Sequence, residues 1–490
     1  MSLHTGHYYD CCISKTRNIV VPESCNQGEG LRLARAKTLN SWGNCCSKLQ
    51  QRENGNAEKK RCKCRRRIEA VLLNGDKFKG VNENVLKSVD VVTLGNLCVD
   101  IVLNVPELPP SSLEDRYQYM LQLAASNPDK RYWEAGGNCN FAIAAARIGL
   151  NCVPLGQLGN EKYGWFLEDV LEKEGMNIVR IDENSENLSS NDNETVLCWV
   201  LVDPGRHHSF CSRFDFNKEP AFKWISKLSA KAEGVIKQSK VLFCNGFLFD
   251  EISPGLIVSM LECARVAGTA IFFDPGPRNK SLLHGTPEQQ QTLRRILRMS
   301  DVLLLTADEA ESLTEISNPV LAAQDLLQSG LNTKWVIIKL GSRGSLMVTS
   351  NGYHYAPAFK VHVADTVGCG DSFASAIVMG YINSMPLITT LALANAVGGA
   401  TAMGCGAGRN VATFEKVTEL LSSPKLQSTC EDYWETLFSK EFLIDSEIML
   451  EKTIINGQDN LFCAVDVKSV ARDALEFLQK CSQKVDYNLR

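Results

Sequence analysis

The sequence predicts an α/β fold, a three-layer sandwich whose mostly parallel central sheet is covered by helices on both faces, with a small β lid. Three observations predict it. Near-continuous apolar strands after residue 240 alternate with segments of helical period, as in a parallel sheet buried on both sides. Gly and acidic residues recur immediately after those strands, on the rim where ligands of such sheets gather. Alternating sequence around 98–105 and 194–216 suits a second, half-exposed sheet.

The elements follow in order. The folded domain is expected from residue 88, where DVVTLGNLCVDIVLNV supplies β-branched residues in strand patterning. Further strands are expected at 194–202, 240–249, 269–274, 301–306, 335–341 and 345–350, with helices at 139–149, 163–175, 254–267, 287–299, 307–315 and 320–329. Residues 1–87 show no sustained apolar period and read as a disordered head or an organelle presequence. A single α/β body fills 88–415, and 416–490 reads as a helical C-terminal extension without assignable chemistry.

Composition narrows the class. The 490 residues are 44% hydrophobic and 22% charged, which excludes a mainly disordered or fibrous chain. No run of 18 apolar residues occurs, which argues against a spanning helix. Residues 1–67 hold 14 Lys and Arg against 5 Asp and Glu, a net +9, so the rest carries −13 of the total −4. An acidic body argues against direct nucleic-acid binding. The basic head fits a plastid address, although its five acidic residues also suit a cytoplasmic extension. Nineteen cysteines in 490 residues are too sparse for a disulfide scaffold, and Cys62 and Cys64 are too closely spaced for a zinc knuckle.

The sharpest motif is DTVGCGD at 365–371, followed by the small-residue helix SFASAIVMGYI. Gly368 and Gly370 allow a tight turn whose amides face outward, and the helix start adds its positive end. That is an anion cradle. Asp371 beside it either caps its helix or takes a proton from a hydroxyl attacking a phosphoryl group. No Walker-type GxxxxGK loop is present.

DTVGCGD resembles the DTxGAGD motif of the ribokinase/PfkB carbohydrate kinase family. Gly95-Asn96 with Asp100, Gly136-Gly137, TADE at 306–309, KLGSRG at 339–344 and ANAVGGATAMGCGAG at 394–408 extend the resemblance over roughly 88–415. It implies a ribokinase-like sandwich with a β lid, and an ATP-dependent, Mg2+-requiring transfer of phosphate to a hydroxymethyl group. By that resemblance Asp371 is the catalytic base, with Gly368, Cys369 and Gly370 as the anion hole. Asp100, Gly136 and Asn140 contact the substrate; Gly341, Gly344 and Asn395 line the nucleotide. Glu309 organises magnesium through water, and Asp365 binds the activating monovalent cation, K+, of many relatives. Small-molecule sugars of fructose or ribose type are favoured, with nucleosides open, and lid-mediated homodimers are frequent among relatives.

Departures from the family pattern are specific. GGxxxN spacing is not kept around Asn140, Thr306 stands where Asn is common, and Gly276 where Asn often follows Asp-Pro. Cys369 replaces the usual Ala, so oxidation there would block the cradle. His207, His208 and Cys211 are read as a hairpin rather than a metal site, for want of further ligands. The rival to an enzyme is a non-catalytic, kinase-like scaffold subunit of an organellar assembly, which would require neither Asp371 nor Glu309.

Overall fold

The computed structural model describes residues 87–110, 112–126, 128–183, 194–205, 207–212, 215, 219–405, 407–427, 448–455, 458–459 and 463–488. The basic head, with Cys62, Cys64 and the presequence expectation, lies outside the described residues. Strands are β1 (Val89–Leu94), β2 (Leu97–Asn104), β3 (Trp133–Gly137), β4 (Cys152–Gly156), β5 (Val179–Arg180), β6 (Val196–Val202), β7 (His208–Ser212), β8 (Ser239–Asn245), β9 (Ala270–Asp274), β10 (Val302–Thr306), β11 (Trp335–Lys339), β12 (Ser345–Thr349), β13 (Gly352–Ala356), β14 (Ile448–Ile455), β15 (Gln458–Asp459) and β16 (Cys463–Asp466). Helices are α1 (Leu113–Ala125), α2 (Asn138–Arg147), α3 (Lys162–Lys173), α4 (Ala230–Gln238), α5 (Leu248–Glu251), α6 (Pro254–Val266), α7 (Arg278–Leu283), α8 (Pro287–Met299), α9 (Ala307–Thr314), α10 (Pro319–Ser329), α11 (Cys369–Ile382), α12 (Leu387–Ala402), α13 (Phe414–Ser422) and α14 (Val467–Asn488).

The large sheet runs β15-β14-β13-β12-β11-β10-β9-β8-β1-β4-β5, with β16 beside β14. From β5 to β11 every pairing is parallel; β12, β13 and β14 then continue antiparallel. Side chains alternate across it as strand geometry requires. Phe243, Phe272, Leu304 and Ile337 face a core shared with α2, α11 and α12, whereas Leu242, Phe273, Leu305 and Ile338 face α4, α6, α8 and α10. These are the three expected layers.

A second sheet, β3-β2-β6-β7, stands apart from the first. Its chain leaves β1 through Gly95 and Asn96, with φ of +66° and +52°, and returns through Gly137 at +57°. A Cβ on Gly137 would lie 2.2 Å from the Asn96 carbonyl, so this crossing admits only glycine. Asn138 clamps it: its backbone N–H donates to Asn96 O at 2.7 Å, and its amide donates to Leu94 O and Gly95 O. β6 and β7 form the hairpin read around 194–216.

The C-terminal extension differs from a purely helical one. It carries β14, β15 and β16 as well as α14, because β14 pairs with β13 and covers what would be an open sheet edge. Val470, Ala471, Ala474 and Leu478 of α14 are buried in the core that also holds α12. No helix among the described residues is long and apolar enough to cross a membrane.

The layer beneath the site depends on Phe243, fully buried and stacked on Phe141 with centroids 4.0 Å apart. Phe243→Ala is expected to lower unfolding free energy by about 3–5 kcal/mol, measured as the shift in denaturant midpoint; a loss below 1 kcal/mol would contradict this account of the core.

Candidate active site

Adjacent parallel strands end level with one another. Asn245 of β8 lies opposite Asp274 of β9, and Thr306 of β10 opposite Lys339 of β11. Asp274 Oδ1 accepts the Gly276 N–H at 3.1 Å while Oδ2 pairs with the Lys339 ammonium. Thr306 caps α9 in a reciprocal box: Glu309 N–H donates to Thr306 Oγ1 at 3.2 Å, and Glu309 Oε2 accepts Thr306 N–H at 2.7 Å. The sequence TADE therefore aims one buried carboxylate back at the rim. Burial raises the Glu309 pKa; Lys339 opposes that shift and Asp274 adds to it.

The glycine turn meets this rim from the other side. Gly368, at φ +76°, is the N-cap of α11 and offers no side-chain cap; the Cys369 N–H turns back to Thr366 O at 3.3 Å, which leaves the Gly370 and Asp371 amides as the ones the helix start offers to a ligand. Cys369 and Gly370 form the first turn, and Asp371 follows them, half-buried. Its Oδ2 accepts from the Asn140 amide of α2 at 3.2 Å. Burial first, then the charge of Asp274, pushes the Asp371 carboxyl up to about 7, while Asn140 and Lys339 pull the other way. A carboxyl poised there can accept a proton near neutrality.

From the lid, Asp100 on β2 reaches the same place. It is 5% exposed, and burial, with Asp371 and Glu134 adding charge, raises it to about 7. Gly136 on β3 is its necessary neighbour, because a Cβ there would stand 2.2 Å from the Asp100 carboxyl. Asn140 Oδ1 accepts the Gly408 N–H at 2.7 Å, and Arg409 makes a forked pair with Glu134 on β3 at 2.9 and 3.0 Å. Asp100, Gly136, Asn140 and Asp371 thus converge despite the altered GGxxxN spacing.

Other expected site residues sit nearby with different partners. Gly341 (φ +60°) and Gly344 (φ +94°) shape the turn after β11, and a Cβ on Gly344 would lie 2.1 Å from Ala356 O. Asn395 accepts from Ser345 Oγ and donates to Ala356 O and Pro357 O, so its amide is committed within the protein and it can serve only as a wall. Asp365 Oδ1 accepts Val367 N–H and pairs with His208 Nε2, each at 3.0 Å. His207 pairs with Asp203 in the exposed hairpin turn, Cys211 is buried, and no metal cluster of three or more His, Cys, Asp or Glu occurs among the described residues. Cys369 is partly exposed with Sγ 4.0 Å from Asp365 O.

Sequence reasoning assigned no role to Asp274, Lys339 or Arg409. The available signal was position alone: Asp274 and Lys339 are the last residues of their strands. For magnesium the donor set fits a shared rather than a caged ion. Asp274, Glu309 and Asp371 against Lys339 leave formal charge −2, and Mg2+ is commonly held by one or two carboxylates with substrate phosphates and water.

Comparison with known proteins places the family and the fold. The family model described as "pfkB family carbohydrate kinase" matches residues 90–413. A bifunctional ribokinase/ribose-5-phosphate isomerase A from Fructilactobacillus sanfranciscensis is 22% identical over 69% of this chain, which spans 57% of that protein. Probable fructokinase-3 of Arabidopsis thaliana is 25% identical, covering 60% of this chain and 84% of its own. Among solved structures, an E. coli protein in complex with ATP and Mg2+ matches with TM-score 0.54 and 20% identity, over 68% of this chain and 99% of its own. Arabidopsis thaliana ribokinase, complexed with ribose and ATP, matches with TM-score 0.51 and 17% identity, over 68% and 98%. These likenesses give the ribokinase-like fold. With a family model spanning about two-thirds of its length, over the segment that carries the glycine turn, Asp371 and the lid, this chain belongs to the pfkB family of carbohydrate kinases.

Proposed function

We propose that the protein transfers the γ-phosphoryl group of ATP to a hydroxymethyl group of a sugar of fructose or ribose type. One observation carries the reading: Asp371 follows an uncapped helix start, yet its carboxylate is held by Asn140 across the cleft. Asp100, in a lid strand, shares the electrostatic field of that carboxylate. An acceptor hydroxyl between them gives its proton to Asp371 as its oxygen bonds to phosphorus. The bond from phosphorus to the bridging oxygen breaks, and ADP leaves. Amides at 368–370 receive the transferring oxygens. Magnesium, when bound beside Asp274 and Glu309, would neutralise phosphate charge. The lid excludes water, the competing acceptor. Asp100 suits vicinal hydroxyls because a buried carboxylate accepts two strong hydrogen bonds.

The names of the relatives, a ribokinase and a fructokinase, support a monosaccharide; nucleosides are the alternative acceptors. An activating K+ would sit beside Asp365, whose Oδ1 already meets His208 at 3.0 Å. The basic head supports a plastid location. A scaffold role is less well supported, since the acidic residues needed for chemistry and the glycines that fit around them are all in place.

A coupled consumption assay of ATP over sugars and nucleosides tests the reading directly. Asp371→Asn is expected to lower kcat by about 100- to 10,000-fold with ATP binding retained; near-wild-type turnover would remove Asp371 as the base.

The reactive form of Asp371 is the carboxylate. Because burial raises its pKa to about 7, kcat/KM is expected to fall on acidification through about pH 7, tending to tenfold per unit. Asp100 titrates in the same range, so the limb belongs to the pair. The Asn140 hydrogen bond favours the charged form, so Asn140→Ala should move this limb to higher pH. A limb unchanged, or moved lower, would refute the assigned contact.

A further inference from the structure

Lys339 takes no part in the steps above, yet it stands among the groups that perform them. It closes β11, its side chain is 15% exposed, and its ammonium is anchored on Asp274. Its Nζ lies 3.7 Å from the point that a Cβ on Gly370 would occupy, and beyond the adjoining residues and backbone of α11 itself no other atom of the described residues comes within 4 Å of that point. The ammonium therefore stands beside the first turn of α11, in the space that the missing Gly370 side chain leaves, at the positive end of the helix.

That placement is unfavourable on its own. A helix start carries roughly half a positive charge, and burial opposes an ammonium. Asp274, Glu309 and Asp371 outweigh the burial and keep Lys339 protonated. Carboxylates that only required neutralising could be served by a cation away from the helix start. Here an ammonium, open helix amides and a glycine without side chain face one spot, and only an anion benefits from all three.

We propose that Lys339 is a catalytic residue, whose Nζ contacts an oxygen of the γ-phosphoryl group seated on the 368–370 turn. The proposal rests on the kinase reading. Asp274 takes one of the three ammonium donors, leaving two for a phosphoryl oxygen. Lys339 stays protonated throughout: the acceptor proton goes to Asp371, and the bonding pair of the broken P–O bond goes to ADP. The lysine supplies fixed positive charge as negative charge redistributes over the phosphoryl oxygens.

The test compares a triphosphate with a diphosphate on the full chain. AMP-PNP and ADP are titrated calorimetrically, with Mg2+, against wild type, Lys339→Met, Lys339→Arg and Lys339→Met/Asp274→Asn. Lys339→Met is expected to weaken AMP-PNP at least about tenfold and ADP no more than about twofold, with Arg restoring much of the difference. Lys339→Met/Asp274→Asn preserves the net charge of the cluster and is expected to remain weak for AMP-PNP; it also keeps the comparison available if Lys339→Met alone does not fold. Recovery of wild-type triphosphate preference in that double variant would make Lys339 a counter-ion of Asp274 and overturn the proposal. So would equal losses for both nucleotides, or none. A wild-type chain that binds neither nucleotide would sink the kinase reading, and this inference with it, whereas intact binding in Lys339→Met sinks the inference alone.

Discussion

Charge balance at the rim of the parallel sheet is the constraint on which the site depends. Three carboxylates, Asp274, Glu309 and Asp371, gather where β9, β10 and α11 meet, with Lys339 among them. Left alone, such a cluster would take up protons, because burial penalises each charge. At Asp371 the Asn140 hydrogen bond and then the lysine oppose that uptake, so that this carboxyl, raised to about 7, titrates near neutrality. The same balance leaves a negative remainder suited to a divalent ion arriving with its phosphates. Fold and chemistry meet here because a parallel sheet delivers the last residue of every strand to the same edge.

Geometry at the lid is governed by missing side chains as much as by present ones. Gly136 lies against the Asp100 carboxyl and Gly137 against the Asn96 carbonyl, at distances no Cβ tolerates. Glu251, buried and raised to about 8 chiefly by burial, accepts the Asn96 N–H at 2.6 Å and fixes the start of the crossing. Gly408 and Arg409 then tie the segment after α12 to Asn140 and Glu134. The lid and the helical layer are thereby joined through one asparagine that also holds Asp371. Burial pushes the thiols of Cys98, Cys139 and Cys198 well above their usual range, so they stay protonated, and Cys98 Sγ donates to Asp100 Oδ1 at 3.6 Å.

Local patterning carried most of the architecture. The helix expected at 287–299 spans those residues, capped by Thr286 with Pro287 next, and strands at 302–306 and 335–339 lie within their expected ranges. Continuous apolar runs bounded by acidic and glycine turns leave little choice in a doubly covered sheet. Short lid-proximal strands such as Trp133–Gly137 were not legible, since glycine and a single aromatic give no period. Strands in the C-terminal extension escaped for another reason: β14 is defined by its pairing to β13, far earlier in the chain.

The sequence by itself determined the layer order, the glycine turn and the place of Asp371 in the helix turn that follows it, because each rests on neighbours within one turn or one strand. Only the tertiary structure decided what those groups face. Asn395 could be placed near a nucleotide by its motif, but folding commits its amide to Ser345, Ala356 and Pro357. Asp365 sits at the start of the glycine turn in sequence, and only the fold brings His208 of the lid to it. Lys339 reads as the end of one more strand until parallel neighbours set it beside Asp274 and Gly370. Electrostatic partners are chosen by distance in space, and separation along the chain carries no information about it.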